Sequence, residues 1–127
     1  SGWPCHGIEH ALSAYYDITH GEGLAIITPR WMKHILNEHT VERFVDFGTH
    51  IFGIDPSLPE NEIAEKTIES VYSLFESFSM PMHLKDVGIG SSRLEEMAHH
   101  IAVNEGLESA WAPLEENDIL EILKASL

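Results

Sequence analysis

Three histidines close to the N-terminus, His6, His10 and His20, have the residue type and spacing to hold a metal ion or to pass a proton. They lie in the runs Trp3-Pro4-Cys5-His6-Gly7-Ile8-Glu9-His10 and Tyr15-Tyr16-Asp17-Ile18-Thr19-His20-Gly21. Neutral imidazole is the commonest protein metal ligand, and its charge changes near neutral pH, which also suits it to acid–base work. His6 and His10 are four positions apart, so on a helix they share one face, with Cβ atoms about 5–6 Å apart. His6 and His20 are fourteen positions apart, a span of roughly 21 Å on an unbroken helix. They can meet one ion only if the helix breaks between them.

The residues between them supply that break. Tyr15-Tyr16-Asp17-Ile18 has poor helix propensity, and Thr19-His20-Gly21-Glu22 matches the S/T-x-x-E capping box that opens a helix. His20 is then the first residue of a new helix, where the positive end of the dipole favours the neutral, lone-pair-bearing imidazole. On spacing alone two readings stand: His6 and His20 as metal ligands that need further donors from elsewhere, or two helix-end histidines bonded to backbone. His6-Gly7-Ile8-Glu9-His10 also spells H-x-x-E-H, the inverted zincin pattern. Gly7 weakens such a helix, and the chain is short for a metallopeptidase with a substrate cleft.

Other chemical candidates are weaker. Cys5 is a possible ligand, but a lone cysteine more often packs as a small apolar group. Gly21-Glu22-Gly23 and Gly88-Ile89-Gly90 are G-x-G runs that follow no strand and lack the third glycine of a dinucleotide fingerprint. The first pair reads better as room for a close approach at the start of the second helix. His99 and His100 are adjacent and diverge by about 100° on a helix, so they cannot chelate together. His34, His39, His50 and His83 have no partner at a defensible sequence spacing.

The elements that must position these groups are helical. The first is expected over about 4–15 and the second from Thr19, with Pro29 kinking or restarting it and Thr28 as a new N-cap. Val41, Phe44, Val45 and Phe47 mark a further helix ending near the Gly48 to Gly53 stretch. Ile63, Ala64, Thr67, Ile68, Val71, Tyr72, Phe75 and Phe78 recur at three- and four-residue steps and predict a long helix ended by Met80-Pro81. The segment from Met80 to Ser91 reads as an ordered loop packed through Leu84, Val87 and Ile89. A capping box at Ser92-Arg93-Leu94-Glu95 opens a helix with Leu94, Met97, Ala98 and Ile101 inward, stopped by Asn104-Glu105-Gly106. Ile119, Leu120, Ile122 and Leu123 make a short terminal helix. The prediction is an all-α, irregular bundle of six or seven helices.

Composition narrows the function. The 127 residues suit one domain with a single core, and 43% of them are hydrophobic. Twenty-one acidic against seven basic residues give a net charge of −14 with no Lys/Arg cluster, which excludes phosphate-backbone binding. No apolar run approaches the roughly 20 residues of a membrane span, and no signal peptide opens the chain, so a soluble cytoplasmic protein is expected. A single cysteine forbids an internal disulfide and fits a reducing compartment.

The run from His6 to Ile26, His6-Gly7-Ile8-Glu9-His10-Ala11-Leu12-Ser13-Ala14-Tyr15-Tyr16-Asp17-Ile18-Thr19-His20-Gly21-Glu22-Gly23-Leu24-Ala25-Ile26, closely resembles the signature of iron-containing (group III) alcohol dehydrogenases, in the butanol-dehydrogenase-like branch. Leu84-Lys85-Asp86-Val87-Gly88-Ile89 and Asp118-Ile119-Leu120 are similar to later parts of the same family's helical C-terminal domain, so the resemblance spans the chain.

The resemblance implies the C-terminal domain, residues 1–127, of a dehydroquinate-synthase-like two-domain oxidoreductase. Its N-terminal domain would bind NAD(P), and its helical domain would hold Fe(2+) or Zn(2+). In that family the ion has four protein ligands, an upstream Asp and His plus two histidines that match His6 and His20. The histidine matching His10 lies beside the site, where it implies a catalytic proton-relay or positioning role. The implied reaction interconverts primary alcohols and aldehydes by hydride transfer, with the metal polarising the substrate oxygen. The nucleotide-binding domain and the upstream Asp-x-x-x-His pair fall outside these residues, so the chain alone is expected to be inactive and to depend on its own N-terminal domain as partner. A homo-oligomer is expected of the parent. The alternative from a different class is a stand-alone helical binding or interaction module that keeps the scaffold without catalysis.

Overall fold

The structure is a computed structural model that describes residues 8, 9, 12, 13, 16, 18–104 and 112–127. Residues 8, 9, 12 and 13 are helical, and the helical path ends by Tyr16, whose N–H bonds to Leu12 O at 2.9 Å. Five α-helices follow among the described residues: α1 (His20–Ile35), α2 (Val41–Ile51), α3 (Glu60–Ser77), α4 (Leu94–Asn104) and α5 (Glu116–Ala125). Two 3-10 turns, Leu84–Val87 and Ser91–Arg93, lie between α3 and α4. No strand occurs among the described residues, and no helix among them is long and apolar enough to cross a membrane.

Among the described residues five helices are complete against the expected six or seven, because α1 runs through Pro29 without restarting and the first expected helix is described only in part. A mid-helix proline costs about 3 kcal/mol through its missing N–H and ring clash. Burial on both sides of it outweighs that cost: Ala25, Ile26 and Ile27 precede Pro29, Trp31 and Ile35 follow, and all are buried. Each fully buried isoleucine is worth roughly 1.5–3 kcal/mol.

α2 closes at Ile51, inside the Gly48 to Gly53 stretch where its end was expected, and Gly48 lies in its last turn. A Cβ there would lie 2.0 Å from Thr67 Oγ1 on α3, so the glycine is what lets these two helices touch. Thr67 is fully buried and its hydroxyl donates to Ile63 O at 2.7 Å, which holds it in place. The expected cap at Ser92 is replaced by the 3-10 turn that leads into α4.

α2 packs chiefly on α3, and α4 on α5, while α1 lies against both α3 and α5. One core joins Ile8 and Leu12 to Ile26, Ile27 and Trp31 of α1 and to residues of every later helix. The loop before α4 is ordered, as expected: Leu84 and Ile89 are fully buried, and Leu84 N–H donates to Ser126 O at 2.7 Å. Arg30 braces α1 against the same region, bonding to Ile26 O at 3.1 Å and to Met82 O, with its guanidinium 5.2 Å from the Tyr72 ring centroid.

α3 ends in a left-handed residue that is not glycine. Ser79 has φ 59°, with its N–H on Glu76 O at 2.9 Å and Met80 N–H on Phe75 O at 3.2 Å. That pair of bonds is the Schellman closure of a helix C-terminus. Phe78, expected inward on helical periodicity, precedes this reversal and is exposed.

Candidate metal centre

His20 opens α1, as the capping box predicted. Thr19 Oγ1 accepts from Glu22 N–H at 3.2 Å, and Glu22 Oε1 accepts from Thr19 N–H at 3.0 Å. Two backbone donors that would otherwise face solvent unpaired are thereby satisfied, and the main chain at His20 is fixed in direction.

Its imidazole is fixed from beneath by Glu9. The Glu9 side chain is 2% exposed, while the His20 side chain is 58% exposed, so a buried acid reaches up to an accessible ring. His20 Nδ1 bonds to Glu9 Oε2, and Ser13 Oγ donates to Glu9 Oε1. An ionised carboxylate only accepts, so Nδ1 carries the proton and the lone pair of the neutral ring is at Nε2. Metal-bound histidines are commonly held this way, with the second ring nitrogen donating to a carboxylate or carbonyl. Both Glu9 oxygens are engaged by these partners, which suits orientation of His20 better than the water activation an inverted zincin would ask of this residue.

Gly23 makes the arrangement possible. It lies three residues after His20 on the same helix, and a Cβ there would stand 2.4 Å from Glu9 Cγ and 2.8 Å from Glu9 Oε1. Glycine costs a helix interior about 1 kcal/mol relative to alanine, and here that cost makes room for the carboxylate. Gly21, by contrast, would meet only Met80 Cε, at an ordinary 3.6 Å.

His6 and His10 lie outside the described residues, as do Cys5 and Asp17. Of the three opening histidines the structure therefore places His20, and the break expected between the two helices is visible at Tyr16, Ile18 and Thr19. Among the described residues no group of three or more His, Cys, Asp or Glu side chains could hold a metal ion. The donor chemistry of His20 fits a metal ligand, and any further ligands would have to come from outside the described residues.

Several remaining histidines have partners that sequence spacing could not show. His34 Nε2 lies 3.0 Å from Asp118 Oδ1, joining α1 to the start of α5, and His99 Nδ1 lies 2.9 Å from Glu116 Oε1. Partial burial pushes the Asp118 carboxyl up, but the Glu115 N–H and the His34 ring together outweigh it and hold it below the usual aspartate value. These pairs tie helices together at the surface.

The relationship to known proteins spans the whole chain. All of residues 1–127 match the family model described as Fe-containing alcohol dehydrogenase family, C-terminal. The chain belongs to the iron-containing alcohol dehydrogenase family. Among its relatives, NADH-dependent butanol dehydrogenase A of Clostridium acetobutylicum is 46% identical over 125 residues, covering 98% of this chain and 32% of that protein. The crystal structure of NADH-dependent butanol dehydrogenase A from Thermotoga maritima superposes with a TM-score of 0.84 at 35% identity, over 99% of this chain and 33% of that one. An aldehyde reductase from E. coli shares the fold at a TM-score of 0.89 with only 18% identity. The chain thus spans about a third of the length of the iron-containing alcohol dehydrogenases it matches, and its all-helical architecture is that of their C-terminal part.

Proposed function

We propose that residues 1–127 form the metal-holding C-terminal domain of an NAD(P)-linked dehydrogenase that interconverts primary alcohols and aldehydes. The observation that carries this reading is the accessible His20 ring, pinned through Nδ1 by a buried carboxylate at the mouth of α1, in a chain of the iron-containing alcohol dehydrogenase family. The butanol dehydrogenases similar to it are named for NADH, which favours NADH over NADPH as the cofactor, and butanol-like primary alcohols as substrates.

His20 and His6 supply two ligands, with an Asp and a His from an N-terminal domain completing the set; that domain also carries most of the nucleotide contacts. When bound, Fe(2+) or Zn(2+) supplies Lewis acidity toward the alcohol or aldehyde oxygen. His10, four positions after His6, serves as the relay that moves the hydroxyl proton toward solvent. On this reading the helical domain would act only in company with that N-terminal domain.

The test compares the chain alone with the full-length polypeptide that carries it. The chain alone should give no butanol-dependent reduction of NAD+, and the full-length protein should give metal-dependent turnover that His6→Ala and His20→Ala abolish. Turnover by the chain alone, or full activity in His20→Ala, overturns the proposal. For His10→Ala the expected signature is a lowered rate with an altered pH profile, and an unchanged profile removes the relay assignment.

A further inference from the structure

Glu9 is the only ionisable side chain in the buried set among the described residues; the others are the hydroxyls of Thr40, Thr67 and Ser126, each of which donates to a nearby backbone carbonyl. Burying a carboxylate is costly unless its oxygens are well bonded, and an apolar side chain at a buried position next to Ile8 would cost less. Retaining an acid there also requires a helix-weakening glycine at position 23. A carboxylate kept at two separate costs, whose partners are one hydroxyl and one accessible imidazole, is arranged to act on that imidazole.

We propose that Glu9 is a positioning residue for the metal site: bonded to Nδ1 of His20 and steadied by Ser13, it sets the tautomer and the plane of the ring so that Nε2 is presented to a divalent ion. The proposal rests on the reading of His20 as a ligand and deepens it. Ser13 selects the orientation of the carboxylate by engaging Oε1, which leaves Oε2 for the histidine. The capping box fixes the His20 main chain and Glu9 fixes its ring, so neither constraint depends on an ion being bound. Carboxylates in this role raise the basicity of the ligand as well as orienting it, and their loss typically costs about 10–100-fold in metal affinity.

The experiment is a cobalt(II) titration of the metal-free full-length polypeptide, following the visible d–d bands, with circular dichroism on each variant to confirm the fold. Glu9→Gln should fold normally, weaken cobalt binding by about 10–100-fold and change the band positions; Ser13→Ala should do the same to a smaller degree. His20→Ala should bind more weakly than any of these. If Glu9→Gln binds within about twofold of wild type with an unchanged spectrum while His20→Ala loses the metal, Glu9 has no positioning role and the ligand assignment stands. If His20→Ala binds as tightly as wild type, the ligand assignment itself falls. Where Glu9→Ala fails to fold, Glu9→Gln alone decides.

Discussion

Gly23→Ala separates the stability of the domain from the competence of the proposed metal site. The new Cβ would stand 2.4 Å from Glu9 Cγ and 2.8 Å from Oε1, whereas ordinary contact begins near 3.4 Å, so the side chain must recoil by about 1 Å. A movement of that size takes a hydrogen bond out of its usual range of roughly 2.7–3.2 Å. Overpacking of this kind costs about 1–3 kcal/mol, while alanine returns about 1 kcal/mol of helix propensity, leaving a net loss of about 0–2 kcal/mol. Urea unfolding of the metal-free protein should therefore show a small change, whereas cobalt affinity should fall by about 10–100-fold through the displaced Glu9. The double variant with Glu9→Ala removes the colliding atoms, so it should be at least as stable as Glu9→Ala alone while affinity stays low. The two substitutions touch the same atoms and should be non-additive in stability. Tight cobalt binding by Gly23→Ala, or strict additivity of the pair, would refute the steric argument.

Three further outcomes follow from the packing. Gly48→Ala forces a Cβ to within 2.0 Å of a fully buried threonine hydroxyl, so α2 and α3 must part and the midpoint of thermal unfolding should drop by an amount equivalent to about 1–2 kcal/mol; adding Thr67→Ala should recover part of it. Ser79→Gly relieves a left-handed backbone at the end of α3 and should stabilise the chain by up to about 1 kcal/mol in urea titrations, and a loss of stability would count against that strain. Asp118→Ala removes the acceptor of both the Glu115 N–H and the His34 ring, at a cost of about 1 kcal/mol at neutral pH. Because the Asp118 carboxyl is held below its ordinary value of 3.8, its contribution is full above that value and is lost as the pH falls through the lower folded-state value. The stability gap between wild type and Asp118→Ala should therefore close in the acid limb, as the pH falls below the ordinary aspartate value; a gap that persists at pH 2 would show that the carboxylate is not its source.

Much of the scaffold was legible in advance because helical periodicity reports burial directly. Ile63, Ala64, Thr67, Ile68 and Val71 lie on the buried face of α3 as their spacing required, and Leu94, Met97, Ala98 and Ile101 do the same in α4. Punctuation residues were a mixed guide. The Gly48 to Gly53 stretch does end α2, at Ile51, whereas α1 runs on through Pro29 without restarting, because local cost is outweighed where the flanking residues are deep in the core. Phe78 kept the period but not the burial, since the chain reverses at Ser79 before the phenylalanine can turn inward. His34 and Asp118 are 84 positions apart, so their pairing exists only once α1 and α5 have packed.

The site was half legible for a related reason. The capping box at Thr19 and Glu22 is local, and it placed His20 at the start of α1 correctly. The partner that orients the ring is not local: Glu9 comes from the preceding helical segment, and in sequence it is one acid in a strongly acidic chain. A signal was nevertheless present in two adjacent stripes at four-residue spacing, Ile8 with Leu12 and Glu9 with Ser13. The first stripe packs into the core, so the second, rotated by about 100°, lies beside it and within reach of the start of α1. A glycine three residues after a helix-opening histidine marks the face where something must approach closely, and a buried Glu–Ser pair is the group that does so here. With the main chain of His20 set by a cap and its ring set by Glu9, this wall of the proposed site is oriented by the helical domain itself. On the proposed reading, an N-terminal domain would have only to bring its own ligands to a histidine already aimed, which would lower the ordering cost of assembling the centre at the moment the ion binds.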